Sequence, residues 1–345
     1  MTMTDPQATL REMIGMTQVN AGVLGLGSMG MSWHCEQLAR VEGLELICGS
    51  DPSEDRRRAA AEKFGIDTYA DYEEMLARSD LDLVVVATPS AMHRDHVIMA
   101  LQAGKHCVCE KPLCMDLAEC DEIIAAAERS GKMMSAYQNR RWDAEHLAAL
   151  HTVRSGVLGE LFLTKQISMN YSPIMRTYGV KEFRPQWRAE KAYGGGLLYD
   201  FGPHRIDQLL QLLDYPAVCD VYADLRGRVW SDEVDDQCLV IIRFANGVTA
   251  QVETTTIARL GIGGTLIVGR EGAYRDGTIA VGEGDDRQEY PAEVFERDWD
   301  AFYRNVHAHL TAGEELAVPL WQTRAMIAII EAALRSAGSG EVVSL

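Results

Sequence analysis

Between residues 18 and 136, short and continuously apolar runs alternate with amphipathic stretches, and few folds accept that rhythm. A strand-like run at 23–26 leads into GLGSMG. LELICGS (44–50), LDLVVVATP (81–89), HCVCEKP (106–112) and KMMSAY (132–137) follow. Between them lie helical stretches such as DHVIMALQAG and LAECDEIIAAAERSG, with Gly104 and Gly131 placed as C-terminal stops. Strands apolar on both faces need cover on both faces, and the intervening helices supply it, so the pattern predicts a parallel α/β sheet.

After Gln138 the texture changes. LFLTKQISMNY (161–171), AVCDVYADLRGRVW (217–230), QCLVIIRFANG (237–247) and VTAQVETTTIAR (248–259) alternate in side-chain character, as half-exposed antiparallel strands do. Asn246-Gly247 between two of them signals a hairpin. Helices are expected near 144–155, 205–213, 299–311 and 323–336. A chain of 345 residues suits two domains. The expected division is 1–137, with 1–17 a loose extension, and 138–345, an α+β domain on a large, mainly antiparallel, open-faced sheet.

Composition narrows the partners. Lys and Arg number 33 against 51 Asp and Glu, a formal net charge of -18 with no basic cluster to offset it. Such a surface repels phosphate backbones and anionic bilayers, so neither nucleic acid nor membrane is an expected partner. The first fifteen residues lack the basic start and apolar segment of a secretory signal, which predicts a soluble, cytoplasmic protein. The eight cysteines show no metal-finger spacing; Cys48, Cys107 and Cys109 sit in apparent strands and read as reduced, buried thiols, with no metal site expected.

Gly25-Leu26-Gly27-Ser28-Met29-Gly30 follows the first strand and opens a helix, the context that gives GxGxxG meaning. The first glycine permits a tight turn, the second lets backbone approach a pyrophosphate, and the third lets the helix pack on the strand. Asp51 ends the next strand at about the 20-residue distance at which a carboxylate meets the adenosine ribose hydroxyls. That reading predicts a Rossmann domain and favours NAD over NADP, while Arg56, Arg57 and Arg58 leave room for a 2′-phosphate. The competing reading is a plain turn, with Asp51 capping a helix before Pro52. Lys111, at the carboxyl edge of the sheet and stiffened by Pro112, is placed to touch a substrate oxygen, and Pro112 admits a cis bond. Taken alone, Glu110-Lys111 also fits a solvated pair.

GLGSMG, ATPSAMH (87–93), AGKHCVCEKP (103–112), YQNRRWD (137–143) and GGGLLYDFGPH (194–204), in this order and spacing, closely resemble the Gfo/Idh/MocA family. The likeness runs from about residue 18 onward. QNRRWD and His34 resemble the branch that includes some scyllo-inositol dehydrogenases. The resemblance implies that Lys111 contacts substrate and helps set the pKa of the base, and that Asp200 and His204 correspond to the family's catalytic Asp and His. It also implies that Ala87, Thr88, Pro89 and Glu110 lie against the cofactor, as His93 does on its own side, and that Asn139 and Arg140 approach the nicotinamide. Arg141 fits a salt bridge, and His96 and His106 fit structural roles. Tyr171 and the pair Trp187-Arg188 are candidate substrate contacts. The family forms dimers or tetramers, so a homodimer or homotetramer is expected.

Oxidising a carbinol by hydride transfer needs a base for the hydroxyl proton, and an imidazole titrating near neutrality suits that work. Asp200 and His204 are spaced i, i+4, which places them on one face of a helix, the carboxylate binding a neighbouring hydroxyl, orienting the imidazole, or both. Gly194 to Gly196 would let backbone approach the ligand. The expectation is an NAD(P)-dependent dehydrogenase for a secondary hydroxyl of a sugar, sugar derivative or inositol. A ketosugar reductase or dihydrodiol dehydrogenase runs the same step. An NAD-dependent, redox-assisted glycosidase and a non-catalytic dinucleotide sensor are the alternatives from other classes.

Overall fold

A computed structural model describes residues 17–172 and 187–345, so the expected N-terminal extension lies outside the described residues except for Thr17. The first sheet contains β1 (Val19–Leu24), β2 (Leu44–Ser50), β3 (Asp67–Tyr69), β4 (Leu83–Val86), β5 (His106–Cys109) and β6 (Met134–Ala136). All pairs are parallel and the order is β3-β2-β1-β4-β5-β6. A π-helical segment (Gly30–Cys35) leads into α1 (Glu36–Arg40); α2 (Glu54–Phe64), α3 (Tyr72–Leu76), α4 (His93–Gln102) and α5 (Leu117–Ser130) complete the crossovers. Every residue of β1 and β4 is buried, as continuous apolar runs require. Strand order reverses between β1 and β4, which opens a crevice at their carboxyl ends.

Next along the chain come α6 (Ala144–Arg154), β7 (Leu161–Tyr171), α7 (Leu197–Asp200), α8 (Gly202–Leu213), β8 (Val218–Arg226), β9 (Gln237–Phe244), β10 (Thr249–Thr255) and β11 (Ile257–Gly269). They are followed by β12 (Gly272–Arg275), β13 (Thr278–Val281), β14 (Gln288–Pro291), α9 (Asp300–Ala312), α10 (Leu320–Ser339) and β15 (Val343–Ser344). The second sheet has the order β14-β13-β12-β11-β7-β10-β9-β8-β15. It is antiparallel throughout except where β10 pairs parallel with β7, and Asn246-Gly247 turns the β9–β10 hairpin. Alternation had not disclosed that parallel pair, because side-chain period is blind to strand direction.

The inner face of this sheet packs on α8 and α10, where Ile206, Leu209, Val240, Ala250, Met326 and Ile330 are all buried. Phe162, Tyr222 and Ile262 stay exposed elsewhere on it. Late in the chain, α9 returns to the first sheet, and its Phe302, Tyr303 and Val306 join Val19, Ala21 and Val23 in one core. No helix among the described residues is long and apolar enough to cross a membrane.

Candidate active site

The crevice at the switch point holds a cavity of about 570 Å³, within the ordinary range for small-ligand sites. Gly25, Gly27, Ser28, Met29, Asp51, Ala87, Thr88, Pro89, His93, Glu110 and Lys111 all line it. The three glycines of GLGSMG divide their work by geometry. Gly25 has φ 97° and a Cβ there would meet the Ala87 carbonyl at 2.7 Å; at Gly30 it would sit 1.9 Å from the Gly25 carbonyl oxygen. Gly30 therefore lies behind the cavity and lets the following helix close on the strand. At Gly27 the nearest atom to such a Cβ is Arg56 Nη1, 4.0 Å away, so no packing within the protein demands glycine there.

Asp51 is buried and already engaged. Its Oδ2 accepts from the Leu26 N–H at 2.9 Å and from Arg56 Nη1 at 3.1 Å, and its Oδ1 accepts from the Ser53 N–H at 2.9 Å. The expected ribose acceptor thus also holds the glycine loop against the start of α2. Arg57 turns to the carbonyls of Asp51 and Pro52, and Arg58 pairs with Asp55, so that of these three arginines Arg56 lines the cavity. His93 sits between the carbonyls of Pro112 (2.7 Å) and Thr88 (2.8 Å), tying the turn after β5 to the turn after β4, while its buried ring also borders the cavity. His96 contacts Thr88 Oγ1 and lines the same cavity, with burial and the neighbouring His93 lowering it to about 4. His106 accepts from the Met133 N–H, a structural place.

A smaller cavity of about 190 Å³ adjoins the first, and Met29, Glu110, Lys111 and Arg188 line both. Asn139, Arg140, Asp200, His204, Trp33, Tyr137, Phe201 and Trp299 complete it. Lys111 and Asp200, 89 positions apart, meet here: Lys111 Nζ donates to Asp200 Oδ1 at 2.9 Å and to the Asp200 carbonyl at 2.6 Å. Arg188 Nε stands 3.5 Å from the same Oδ1. Burial opposes the charge on Asp200, but Lys111 and Arg188 together outweigh it, and the carboxyl falls to about 2. His204 moves the other way. Burial, reinforced by Lys111, Arg140 and Arg205, holds it well below its ordinary value, so the imidazole is neutral. Its Nδ1 is buried without a hydrogen-bond partner among the described residues.

Behind this cavity a hydrogen-bonded chain crosses the core. Tyr303 Oη lies 2.6 Å from His34 Nδ1, and His34 Nε2 lies 3.0 Å from Glu110 Oε1. Glu110 Oε2 then accepts from the Lys111 N–H at 3.0 Å. Burial works against the charge on Glu110, yet the His34 hydrogen bond, with help from Lys111, brings its carboxyl below the usual range. The bond between Lys111 and Pro112 is cis.

Three local expectations need correction. Asp200 and His204 do not share one helix: α7 ends at Asp200, Phe201 intervenes, and α8 begins at Gly202 with Pro203 in its first turn. Proline brings no N–H, so the helical ladder is interrupted between the two residues. Asp200 accordingly does not orient the imidazole; Lys111 takes its Oδ1 and its backbone carbonyl, and Arg188 faces the same Oδ1. Gly194 to Gly196 line neither cavity, because the protein packs on itself there. A Cβ at Gly195 would stand 2.4 Å from the Arg188 carbonyl, and one at Gly196 2.2 Å from Asp235 Oδ1.

The outlying candidates fall in separate places. Trp187 borders the larger cavity and Arg188 both, whereas Tyr171 borders neither, its ring lying 5.2 Å from that of Trp230 with Arg259 stacked over it. Arg141 makes a buried bidentate pair with Asp207 at 2.8 and 2.5 Å. Cys48, Cys107 and Cys109 are free and buried, and desolvation pushes the Cys48 thiol up to about 12. Trp33 and Trp299 had no sequence signal of a site; their rings, 4.7 Å apart, meet in the wall of the smaller cavity because the residue before α9 packs against the segment that follows GLGSMG.

Comparison with known proteins identifies the family. Residues 19–138 match a family model described as the oxidoreductase family, NAD-binding Rossmann fold, and residues 146–275 match the GFO/IDH/MocA C-terminal domain. The scyllo-inositol 2-dehydrogenase (NADP(+)) of Bacillus subtilis is 26% identical over 358 residues, covering 95% of this chain and 96% of its own. The D-glucoside 3-dehydrogenase of Escherichia coli is 28% identical over 255 residues, 69% of this chain and 70% of its own. An NAD-binding protein from Listeria innocua has a solved structure with a TM-score of 0.83 at 31% identity, covering 95% of this chain and 97% of that one. With both of its sheets matched and its glycine loop built for a dinucleotide, this chain belongs to the Gfo/Idh/MocA family of NAD-binding oxidoreductases.

Proposed function

We propose that the chain is an NAD(P)-dependent dehydrogenase for a secondary alcohol of a sugar, sugar derivative or inositol. The observation that carries the reading is the meeting of Lys111, Asp200 and neutral His204 in one cavity that shares four lining residues with the dinucleotide crevice. Gly25, Gly27, Ser28, Asp51 and the turn at 87–89 would hold the dinucleotide; the space before Gly27 fits its phosphates. Bound there, a nicotinamide ring supplies the hydride acceptor.

The protein's own part is proton transfer and alignment. His204 takes the hydroxyl proton, its neutrality secured by burial and three nearby cations. Lys111, anchored on Asp200, donates to the reacting oxygen and favours its developing negative charge. Asp200, Arg188 and Arg140 are left to accept from or donate to neighbouring hydroxyls, with Trp33, Phe201 and Trp299 as apolar walls. The names of the inositol and glucoside dehydrogenases among the relatives support a polyhydroxylated substrate. Arg56, seated on Asp51 in the adenosine end of the crevice, supports use of NADP beside NAD.

The test is a panel of inositols, hexoses and glycosides, each with NAD and NADP, read as absorbance of reduced cofactor. Lys111→Met should lower kcat by about 100-fold or more while the NAD dissociation constant stays within about threefold. Wild-type turnover in Lys111→Met would refute its role, and tight NAD binding with no reduction by any polyol would favour a sensor. We also propose the division 1–137 and 138–345 as the two domains, with α9 returning to the first. Phe162, Tyr222 and Ile262 exposed on the second sheet support self-association as a dimer or tetramer.

A further inference from the structure

The short helix that carries Asp200 hangs on another acid. Asp235, in the loop between β8 and β9, accepts the Leu198 N–H on Oδ2 at 2.9 Å, and its backbone carbonyl accepts the Leu197 N–H at 3.1 Å. These are the first two N–H groups of α7, orphans that a helix of four residues cannot satisfy internally. Gly196, with φ 106°, is glycine because the Asp235 carboxylate occupies the place of its Cβ, 2.2 Å from Oδ1. Three further ties brace the same segment: Ser231 Oγ donates to the Ala189 carbonyl, the Lys191 N–H to Glu233, and the Gly196 N–H to the Arg188 carbonyl. At its other end, α7 presents the carbonyl and carboxylate of Asp200 to Lys111.

We propose that Asp235 is a positioning residue for the reaction: in its ionised form it clamps the start of α7 and so sets the pose in which Asp200 holds Lys111. This rests on the dehydrogenase reading for its effect on turnover, though not for the clamp itself. A carboxylate is the better acceptor for backbone N–H groups than a neutral acid, so the clamp loosens on protonation. The groups facing Asp235 are Asp236, next in the chain, and the Cys238 thiol on β9; Glu253 on β10 faces that thiol as well. Asp236 is fully buried and held separately by the N–H groups of Arg228, Val229 and Trp230. Desolvation, with Asp236 alongside, pushes Asp235 up to about 7 against the pull of the α7 N–H groups, so the clamp titrates in the physiological range. His204, displaced well below its ordinary value, does not titrate there.

The test compares wild type with the near-isosteric Asp235→Asn, which is neutral at every pH. At pH 8.5 the variant should lose about five- to tenfold in kcat with the NAD dissociation constant unchanged, and the deficit should shrink to less than about twofold at pH 5.5, where the wild type is protonated too. A deficit of the same size at both pH values, or none at either, overturns the proposal. A second readout needs no substrate: in the full-length wild type, amide exchange of a peptide spanning 196–201, corrected for intrinsic rates, should gain about tenfold protection between pH 6 and 8, and Asp235→Asn should show no such gain. Equal protection profiles in the two proteins would overturn the clamp. If protection titrates but no polyol is turned over, the dehydrogenase reading fails and the clamp stands.

Discussion

The two adjoining cavities are built on opposite principles. In the dinucleotide crevice three side chains are already bound to the protein: Asp51 to two backbone N–H groups and Arg56, His93 to two carbonyls, Glu110 to His34 and the Lys111 amide. In the smaller cavity the His204 Nδ1 has no partner among the described residues, and the imidazole is neutral under three cations. The first region's side chains tie loops and strands to one another through backbone groups that the sheet fixes in place. The second keeps one buried polar atom unmatched, which costs stability, on the order of 1–3 kcal/mol.

That contrast can be broken at either end. At the dinucleotide end a large effect is expected from Gly30→Ala, whose Cβ would stand 1.9 Å from the Gly25 carbonyl oxygen and would have to push the loop from the strand. Calorimetry should find NAD affinity down by about 100-fold or more, with a fall in melting temperature. NAD affinity within threefold of wild type would mean that the loop is not rigid. Next, His204→Asn should reduce kcat by about 10²- to 10⁴-fold while leaving NAD affinity intact, the mirror image of Gly30→Ala. A variant that loses both together would dissolve the distinction between the cavities.

The pH dependence sharpens the comparison further. In Asp235→Asn, where the step near 7 is removed, kcat/KM should stay level through 6.5 and decline only at lower pH, as His204 protonates. Stability carries the same sign. With the folded value depressed, the unfolded chain binds more protons between the two values, so the His204 contribution is present above 6.5 and lost as pH falls through the folded value. A midpoint of kcat/KM at 6.5 or above in that variant would contradict a desolvated base. The smallest effect is expected at Arg56→Ala, on the adenosine side: NADP affinity lower by about tenfold and NAD affinity by less than threefold. Equal losses for the two cofactors would remove Arg56 from discrimination.

Much of this was legible in the chain. The period of the apolar runs gave the first sheet, because a strand buried on both faces has no polar positions to break its run. GLGSMG gave the loop, since a tight turn and a close strand–helix contact tolerate no Cβ at Gly25 and Gly30, and local sterics are written in local sequence. Lys111 and Asp200 were recognisable as chemistry, each beside a motif. Their ion pair was not, because it spans 89 positions and depends on how the second sheet docks its helices.

Spacing also misled where it was trusted most. An i, i+4 pair counts residues, and Pro203 interrupts the ladder that would convert the count into one face. The glycine run looked like an approach to ligand and proved to be room for Asp235 and the Arg188 carbonyl.

By itself the sequence determined the elements and the dinucleotide loop, whose physics is contained in a few consecutive residues. Only the tertiary structure decided which acid holds Lys111, which acid supports the helix beneath it, and that His204 stays neutral. Those properties arise from desolvation and from charges brought together across long chain separations, and neither exists until the core has closed.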